Sequence, residues 1–311
     1  MKRTLAHAIM LTLLTIFVSN FVGCGGRPSL ANLTARELFD KGKAKYSEKD
    51  YFDAIEYFQA IVYNYPGESM VDTAQYYLAL SYFGNHEYEL AQVEFNRLLV
   101  NYPSSVYFEH SIFMKAVCFF EGTPRHYGLD QSDLETAIKQ FDDFIIDYPE
   151  AELVPEAQRY LLLARTRLAK KYYNSGVVYN RLGAYESAGI YFQKVVDDFT
   201  DTEFAPQATY KIAEMEYKRR MYSESSKKFA NFAAVFPEHE WAAEALEKAP
   251  EAAYKSGEES YKAGEFAQAK ERLESFLETY PDHEKVDDAR KLLEQLKAMP
   301  SAEIKKDDDN S

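Results

Sequence analysis

Cys24 is the residue whose setting most directly implies chemistry. Lys2-Arg3 open the chain, an apolar run follows from Leu5 to Val22, and Gly23 stands just before the cysteine. A basic start, a hydrophobic stretch of signal-peptide length and a small residue at the cut form the layout of a secretory signal. With cysteine as the first residue after the cut, the thiol is the group that would take a lipid. The pattern predicts a signal peptide over 1–23, lipidation of Cys24 and a flexible lipidated leader over 24–33 that includes Gly25-Gly26-Arg27-Pro28. Phe21 and Val22 occupy places where such signals usually carry Leu and then Ala or Ser. Two other readings share these residues: a transmembrane anchor, for which the run is barely long enough, and a plain signal peptide with an incidental cysteine. Residue 25 is Gly, not the Asp that retains many Gram-negative lipoproteins in the inner membrane. That favours the outer membrane, with the body on its periplasmic face.

The rest of the sequence offers little for catalysis. His7, His86, His110, His126, His239 and His283 include no pair at metal-ligand spacing. There is no glycine-rich phosphate loop and no nucleophile elbow. The adjacent carboxylates Asp142-Asp143 and Asp197-Asp198 diverge around a helix and read as solvated faces. Cys118 lies inside the apolar run Phe113 to Phe120 and reads as a small buried core residue. No cofactor and no metal is expected. Removing residues 1–23 leaves 34 basic against 50 acidic side chains, a formal charge of −16. Such a surface repels nucleic acid and anionic headgroups and suits protein partners. Binding is therefore the expected activity.

The side chains suited to binding are aromatic. The chain holds 25 Tyr and 21 Phe, and two ladders run through them. Phe39, Tyr76 and Phe113 are spaced 37 apart, as are Tyr46, Phe83 and Phe120. One reading makes them packing between repeats. The other turns some rings toward a groove that holds an extended peptide, since rigid aromatic side chains suit that task. On this second reading the candidate peptide-binding residues are Phe39, Lys43, Tyr46, Tyr76, Phe83 and Phe113, with Lys43 offering a charge for a peptide carboxylate. A solvated lysine is the alternative for Lys43.

Positioning those residues requires a repeated scaffold, and the sequence writes one. A small residue, an aromatic or Leu four later, an aromatic seven further on and then Pro recur six times. The instances are Ala54/Phe58/Tyr65/Pro66, Ala91/Phe95/Tyr102/Pro103, Ala137/Phe141/Tyr148/Pro149, Ala188/Phe192/Phe199/Thr200, Ser225/Phe229/Phe236/Pro237 and Ala269/Leu273/Tyr280/Pro281. These spacings put the residues on one face of a helix, which Pro then ends. An amphipathic segment precedes each, so each unit reads as helix–turn–helix. The steps between the ends are 37, 46, 51, 37 and 44 residues. Unit three carries an insertion, 121–133, with Ser132 or Asp133 as the next N-cap. Unit four carries a long helix from Pro155 to Leu182, or two nearly in line that break near Gly176. Glu284 to Leu296 reads as a capping helix. The organisation expected is repeats 1–3 over 34–150, the long helix and repeats 4–5 over 151–237, repeat 6 with its cap over 238–298, and a disordered acidic tail over 299–311. The fold class is all-α: a solenoid of about six units with a C-terminal capping helix.

The pattern resembles the tetratricopeptide repeat over about residues 34–282. A closer resemblance lies in Gly128-Leu129-Asp130-Gln131-Ser132-Asp133, Arg167-Leu168-Ala169 and Tyr179-Asn180-Arg181-Leu182-Gly183-Ala184-Tyr185. Together with the leader and the insertion, these stretches resemble the BamD family of outer-membrane lipoproteins over about residues 36–237. That resemblance implies a scaffold and receptor in β-barrel assembly. Repeats one to three would take unfolded outer-membrane proteins, and repeats four and five would dock a BamA-like insertase beside other assembly lipoproteins. The sixth unit and Thr200 depart from the family pattern. The alternatives are a cell-envelope coordinator of the Tol–Pal-associated repeat type, which usually carries an N-terminal coiled coil absent here, and an adaptor of peptidoglycan hydrolases.

Lipidation makes a direct prediction. Cys24→Ala moves the protein from the membrane fraction to the soluble fraction of lysed cells; retention of the variant in alkali-washed membranes would establish a spanning anchor instead.

Overall fold

The computed structural model describes residues 30–299; Cys24, the signal segment, the leader as far as residue 29 and the tail 300–311 lie outside the described residues. The described residues contain no strand. After a short 3-10 helix, Leu30–Asn32, come thirteen α-helices. The chain forms two compact units, Met1–Phe108 and Glu109–Ser311.

The first unit holds two helix pairs: α1 (Ala35–Ser47) with α2 (Tyr51–Asn64), and α3 (Val71–Gly84) with α4 (Tyr88–Asn101). A capping box starts α1. The Thr34 hydroxyl accepts from the Glu37 N–H, and the Glu37 carboxylate accepts from the Thr34 N–H at 2.9 Å. These bonds from Thr34 hold the Glu37 carboxyl below its ordinary range.

The second unit continues with α5 (Phe108–Gly122) and α6 (Ser132–Asp147), then α7 (Val154–Arg181) with α8 (Tyr185–Asp198) and α9 (Phe204–Lys218) with α10 (Tyr222–Val235). It ends with α11 (Ala242–Ala263), α12 (Phe266–Thr279) and α13 (Val286–Ala298). From α6 onward each helix packs on the next, and α13 also touches α11. The α7 helix is unbroken at Gly176 and, at 28 residues, is about 42 Å long. The N-cap of α6 is Gln131, so neither Ser132 nor Asp133 caps it; both already lie in the helix. The extra length of unit six lies in α11, which runs for 22 residues straight through a buried Pro250.

The all-helical repeat architecture expected from the periodicity is what the chain forms, and its core explains the pattern. The first two members of all six motifs, from Ala54 and Phe58 to Ala269 and Leu273, are each 0 % exposed. Burying each ring or Leu contributes about 1.5–3 kcal/mol. The close approach is set from the other side of each pair. Sixteen residues before the ring or Leu stand Gly42, Ala79, Gly176, Ala213 and Gly257 in five of the units. A Cβ built on Gly42 meets the Phe58 ring at 2.9 Å, on Gly176 the Phe192 ring at 2.7 Å, and on Gly257 the Leu273 side chain at 2.6 Å.

The turn inside these units is equally regular. Five residues before the small residue of the motif, Lys49, His86, Gly183, Arg220 and Gly264 all adopt positive φ, between 61° and 82°. The following N–H then reaches back five residues in the Schellman manner, as Asp50 does to the Lys45 carbonyl at 2.9 Å and Glu265 to the Ser260 carbonyl at 2.9 Å.

Paired glycine substitutions test the close approach. Gly189, in α8, has open space where its Cβ would stand, so Gly189→Ala raises stability by about 0.5–1 kcal/mol through helix propensity. Gly176→Val has no such room and lowers it by about 1–3 kcal/mol. Urea melts of the two variants against the parent measure both signs.

Candidate protein-binding site

In the first unit, α1 presents Phe39, Lys43 and Tyr46 at i, i+4 and i+7, the spacing of one helix face. The facing residues come from α3. Tyr77 is the centre of the arrangement. Its ring lies 6.2 Å from Phe39 and 5.4 Å from Tyr46, both edge-on, and stacks at 5.7 Å on Phe58. Tyr76 and Tyr107 complete the surround at 5.7 Å and 6.4 Å. The Lys43 ammonium sits 3.6 Å from the Tyr77 ring centroid, a cation–π contact.

Four of the six residues singled out from the sequence, Phe39, Lys43, Tyr46 and Tyr76, therefore converge on one ring. They differ in access. Tyr76 is buried, stacked on Tyr107 at 4.3 Å, and burial pushes its hydroxyl up to about 12. Phe39, Lys43, Tyr46 and Tyr77 are half-buried, and burial also raises the Tyr46 hydroxyl above its ordinary value. The result is a platform of ring faces and edges with one ammonium. Such a surface suits aromatic and aliphatic side chains on an extended chain.

Phe83 stands apart from this group and packs edge-on against Tyr88 at 5.3 Å. Phe113 belongs to the second unit. It is 5 % exposed, among Phe141, Phe144 and Tyr160 at 5.9–6.0 Å. Tyr77 itself is absent from the sequence-derived set because no aromatic stands 37 residues before or after it, at Asp40 or Met114. The adjacent pair Tyr76-Tyr77 was the signal available, since neighbouring helix residues point to different faces.

The insertion of the second unit is a built structure. Arg167, on α7, donates to the carbonyls of Phe120, Thr123 and Pro124, each at 3.0 Å, and its guanidinium lies 4.9 Å over the Phe120 ring. Burial lowers its pKa below the usual arginine value. The buried Gln131 amide donates to the Pro124 carbonyl at 2.7 Å. The Asp130 carboxylate accepts from the Ser132 N–H and hydroxyl, both at 3.0 Å, and these bonds hold its carboxyl below the usual range. The loop so fixed displays a His126–Tyr127 stack at 4.9 Å. Among the described residues no group of His, Cys, Asp and Glu is placed to hold a metal ion. No described helix is long and apolar enough to cross a membrane.

A family model described as YfiO, outer membrane lipoprotein, matches residues 31–209 and 203–309. The chain belongs to that family. Two curated relatives of this outer membrane lipoprotein family member carry the name outer membrane protein assembly factor BamD. The one from Caulobacter vibrioides is 22% identical over 235 residues, covering 74% of this chain and 77% of the relative. The one from Rickettsia prowazekii is 23% identical over 225 residues, covering 72% and 89%. Among solved structures, the chain is similar to the TPR2AB-domain:pHSP90 complex of yeast Sti1. The TM-score is 0.38 at 14% identity, over 85% of this chain and 98% of that one. A TPR repeats protein from Bacteroides fragilis gives 0.36 at 14% identity, over 86% and 99%.

The role of Arg167 as the clamp of the insertion is testable. Arg167→Met keeps the side chain's bulk and removes three donors to loop carbonyls. Limited trypsin digestion then cuts after Arg125 at least about ten-fold faster than in the parent, the effect of losing more than about 1.4 kcal/mol of local closure. An unchanged cleavage rate would show that Gln131 alone holds the loop.

Proposed function

We propose that the protein is a lipid-tethered scaffold and receptor in outer-membrane β-barrel assembly. It binds unfolded barrel proteins through its first repeats and a BamA-like insertase through its later ones, beside other lipoproteins of the assembly. Membership of the outer membrane lipoprotein family supports this reading, as does the name of the relatives from Caulobacter and Rickettsia. The single observation that carries the receptor role is the Tyr77 platform with Lys43 above it. Half-buried ring faces beside one ammonium recognise an extended segment rich in aromatic residues and ending in, or flanked by, carboxylate. Repeats one to three supply the receptor surface, and Phe83 and Phe113 serve it through packing. Repeats four and five, 151–237, supply the surface for the insertase.

A lipid on Cys24 places this body at the periplasmic face of the outer membrane. Tethering raises the effective concentration of a binding module near co-anchored partners without any new contact. That is the physical reason for an anchor on a chain that acts by holding others.

Two measurements test the proposal. Lipidated, tagged protein from detergent-solubilised envelopes co-purifies with a BamA-like barrel; recovery of Tol–Pal components or peptidoglycan hydrolases in its place would overturn the assembly role. Separately, Tyr77→Ala and Lys43→Gln each weaken binding of a synthetic C-terminal barrel-protein peptide, read by fluorescence anisotropy. Tyr77→Ala costs about ten-fold or more and Lys43→Gln about three-fold, in line with one stacking platform and one cation–π pair. Equal affinity in all three proteins would remove the platform from the receptor.

A further inference from the structure

The sixth repeat contains a slot whose counterpart in the first two repeats is filled. It opens between α10, α11 and α12, has a volume of about 690 Å³, and its walls include Ser226, Ala230, Ala253, Ser256, Arg272 and Ser275. Repeat register shows what is missing. In the first unit the same six positions hold Ile55, Gln59, Gln75, Leu78, Glu94 and Arg97. There Ile55 and Leu78 are buried, and the Gln75 amide donates to the Glu94 carboxylate at 2.7 Å. The Arg97 guanidinium neutralises that carboxylate, also at 2.7 Å. Packing and charge are both closed.

The sixth repeat inverts that arrangement. The buried acid becomes Arg272, and its neutralising partner becomes Ser275. Arg272 donates to the Ser260 hydroxyl at 2.7 Å and the Gln268 side-chain carbonyl at 3.0 Å. Among the described residues neither it nor Lys227, on the same slot, has a carboxylate within ion-pair distance. Glu271 is the one acidic residue on the walls. The local balance is thus positive in a chain whose formal charge is −14.

A second, independent feature points the same way. Ser256 is 4 % exposed and its hydroxyl has no partner among the described residues. Its register counterpart Ser175 donates back to the Lys171 carbonyl at 3.0 Å. The neighbouring Ser226 hydroxyl is committed, donating to the Ala249 carbonyl at 2.8 Å just before Pro250. A buried hydroxyl without a partner is costly unless something arrives to use it.

We propose that this slot is a binding site for a carboxylate-bearing segment of a partner protein. Asp or Glu side chains are received by Arg272, Lys227 and the Ser256 hydroxyl, and an adjacent apolar side chain rests on the half-buried Tyr280. Charge complementarity selects the occupant: a basic, hydroxyl-lined recess attracts acid, while the net charge of −14 makes whole copies of the chain repel one another. The site is independent of the Tyr77 platform and of the assembly reading.

The test uses the full mature chain and a fluorescein-labelled peptide of alternating Asp and Phe, with its Asn/Phe counterpart as control. The Asp peptide binds with a Kd on the order of 10–100 µM, and the Asn peptide at least about ten-fold more weakly. Arg272→Gln weakens the Asp peptide by about ten-fold. Lys227→Gln, at an exposed position, weakens it by about three-fold without touching the core. Ser256→Leu, which restores the residue found at Leu78, closes the slot and abolishes binding while the thermal melt holds or rises. Equal binding of the two peptides, or an affinity unchanged in Lys227→Gln and Ser256→Leu, would overturn the proposal. So would displacement by equimolar inorganic phosphate, which would mark a general anion site. Competition by a peptide of residues 300–311 at an affinity above that of the Asp peptide would assign the slot to this chain's own tail and overturn the partner.

Discussion

One contact governs the architecture: a residue with little or no side chain on the first helix of a unit, facing a ring or Leu sixteen residues later on the second. Gly42 with Phe58, Gly176 with Phe192 and Gly257 with Leu273 leave no room for even a methyl group. Because the ring occupies the space a Cβ would need, the two helix axes come close and the pair behaves as one slab. A slab with an apolar edge on both sides must stack on another, and repetition of the same contact makes the stack continue. The left-handed residue five before the motif's small residue is the other half of this constraint. It returns the chain at an angle that delivers the ring to the glycine.

That constraint also determines what is left over for binding. The ring that fills each pair comes from the second helix, so bulky residues elsewhere on the first helices are not consumed by the slab. Phe39, Lys43 and Tyr46 are such residues on α1, and Tyr77 is the one on α3 that meets them. Tyr76, one position earlier, points inward and stacks on Tyr107. A single step along the helix separates packing from presentation. This is why a ladder spaced at 37 residues gathers both kinds: Phe39 lies at the platform, whereas Phe113 in the same ladder is buried among Phe141, Phe144 and Tyr160.

The fold was legible because its controlling contacts are periodic. Ala, aromatic and Pro recur at fixed spacing, and every one of those small residues and its partner is fully buried. What was not legible is what breaks period. Lys49, His86 and Arg220 take the left-handed turn position that Gly183 and Gly264 announce by type, and a lysine or arginine there gives no sign of its φ. Gln131 caps α6 without a side-chain bond to its first turn, so the usual preference for Ser or Asp misplaces the cap by one or two residues. Arg167 stood in the sequence as part of a motif, but its three carbonyl partners lie more than forty residues away. Half of the candidate platform followed from helix spacing on α1. Its centre did not, since Tyr77 belongs to no ladder.

The acidic balance of the chain gives meaning to where its cations go. Many of the described ones are held by local carboxylates, as Lys139 is by Asp143 and Lys194 by Asp198 one helical turn on. Such exposed pairs contribute little to stability, but they leave the surface uniformly unattractive to anions. Among the described cations placed otherwise, three have distinct surroundings. Arg167 turns to backbone carbonyls and holds a loop. Lys43 turns to the ring face of Tyr77. Arg272 turns to neutral hydroxyl and amide oxygens, in a position where an earlier repeat buries a neutralised glutamate. The same repeat geometry therefore yields a closed core when Glu94 meets Gln75 and Arg97, and an open, charged recess when the residues at those positions are Arg, Ala and Ser.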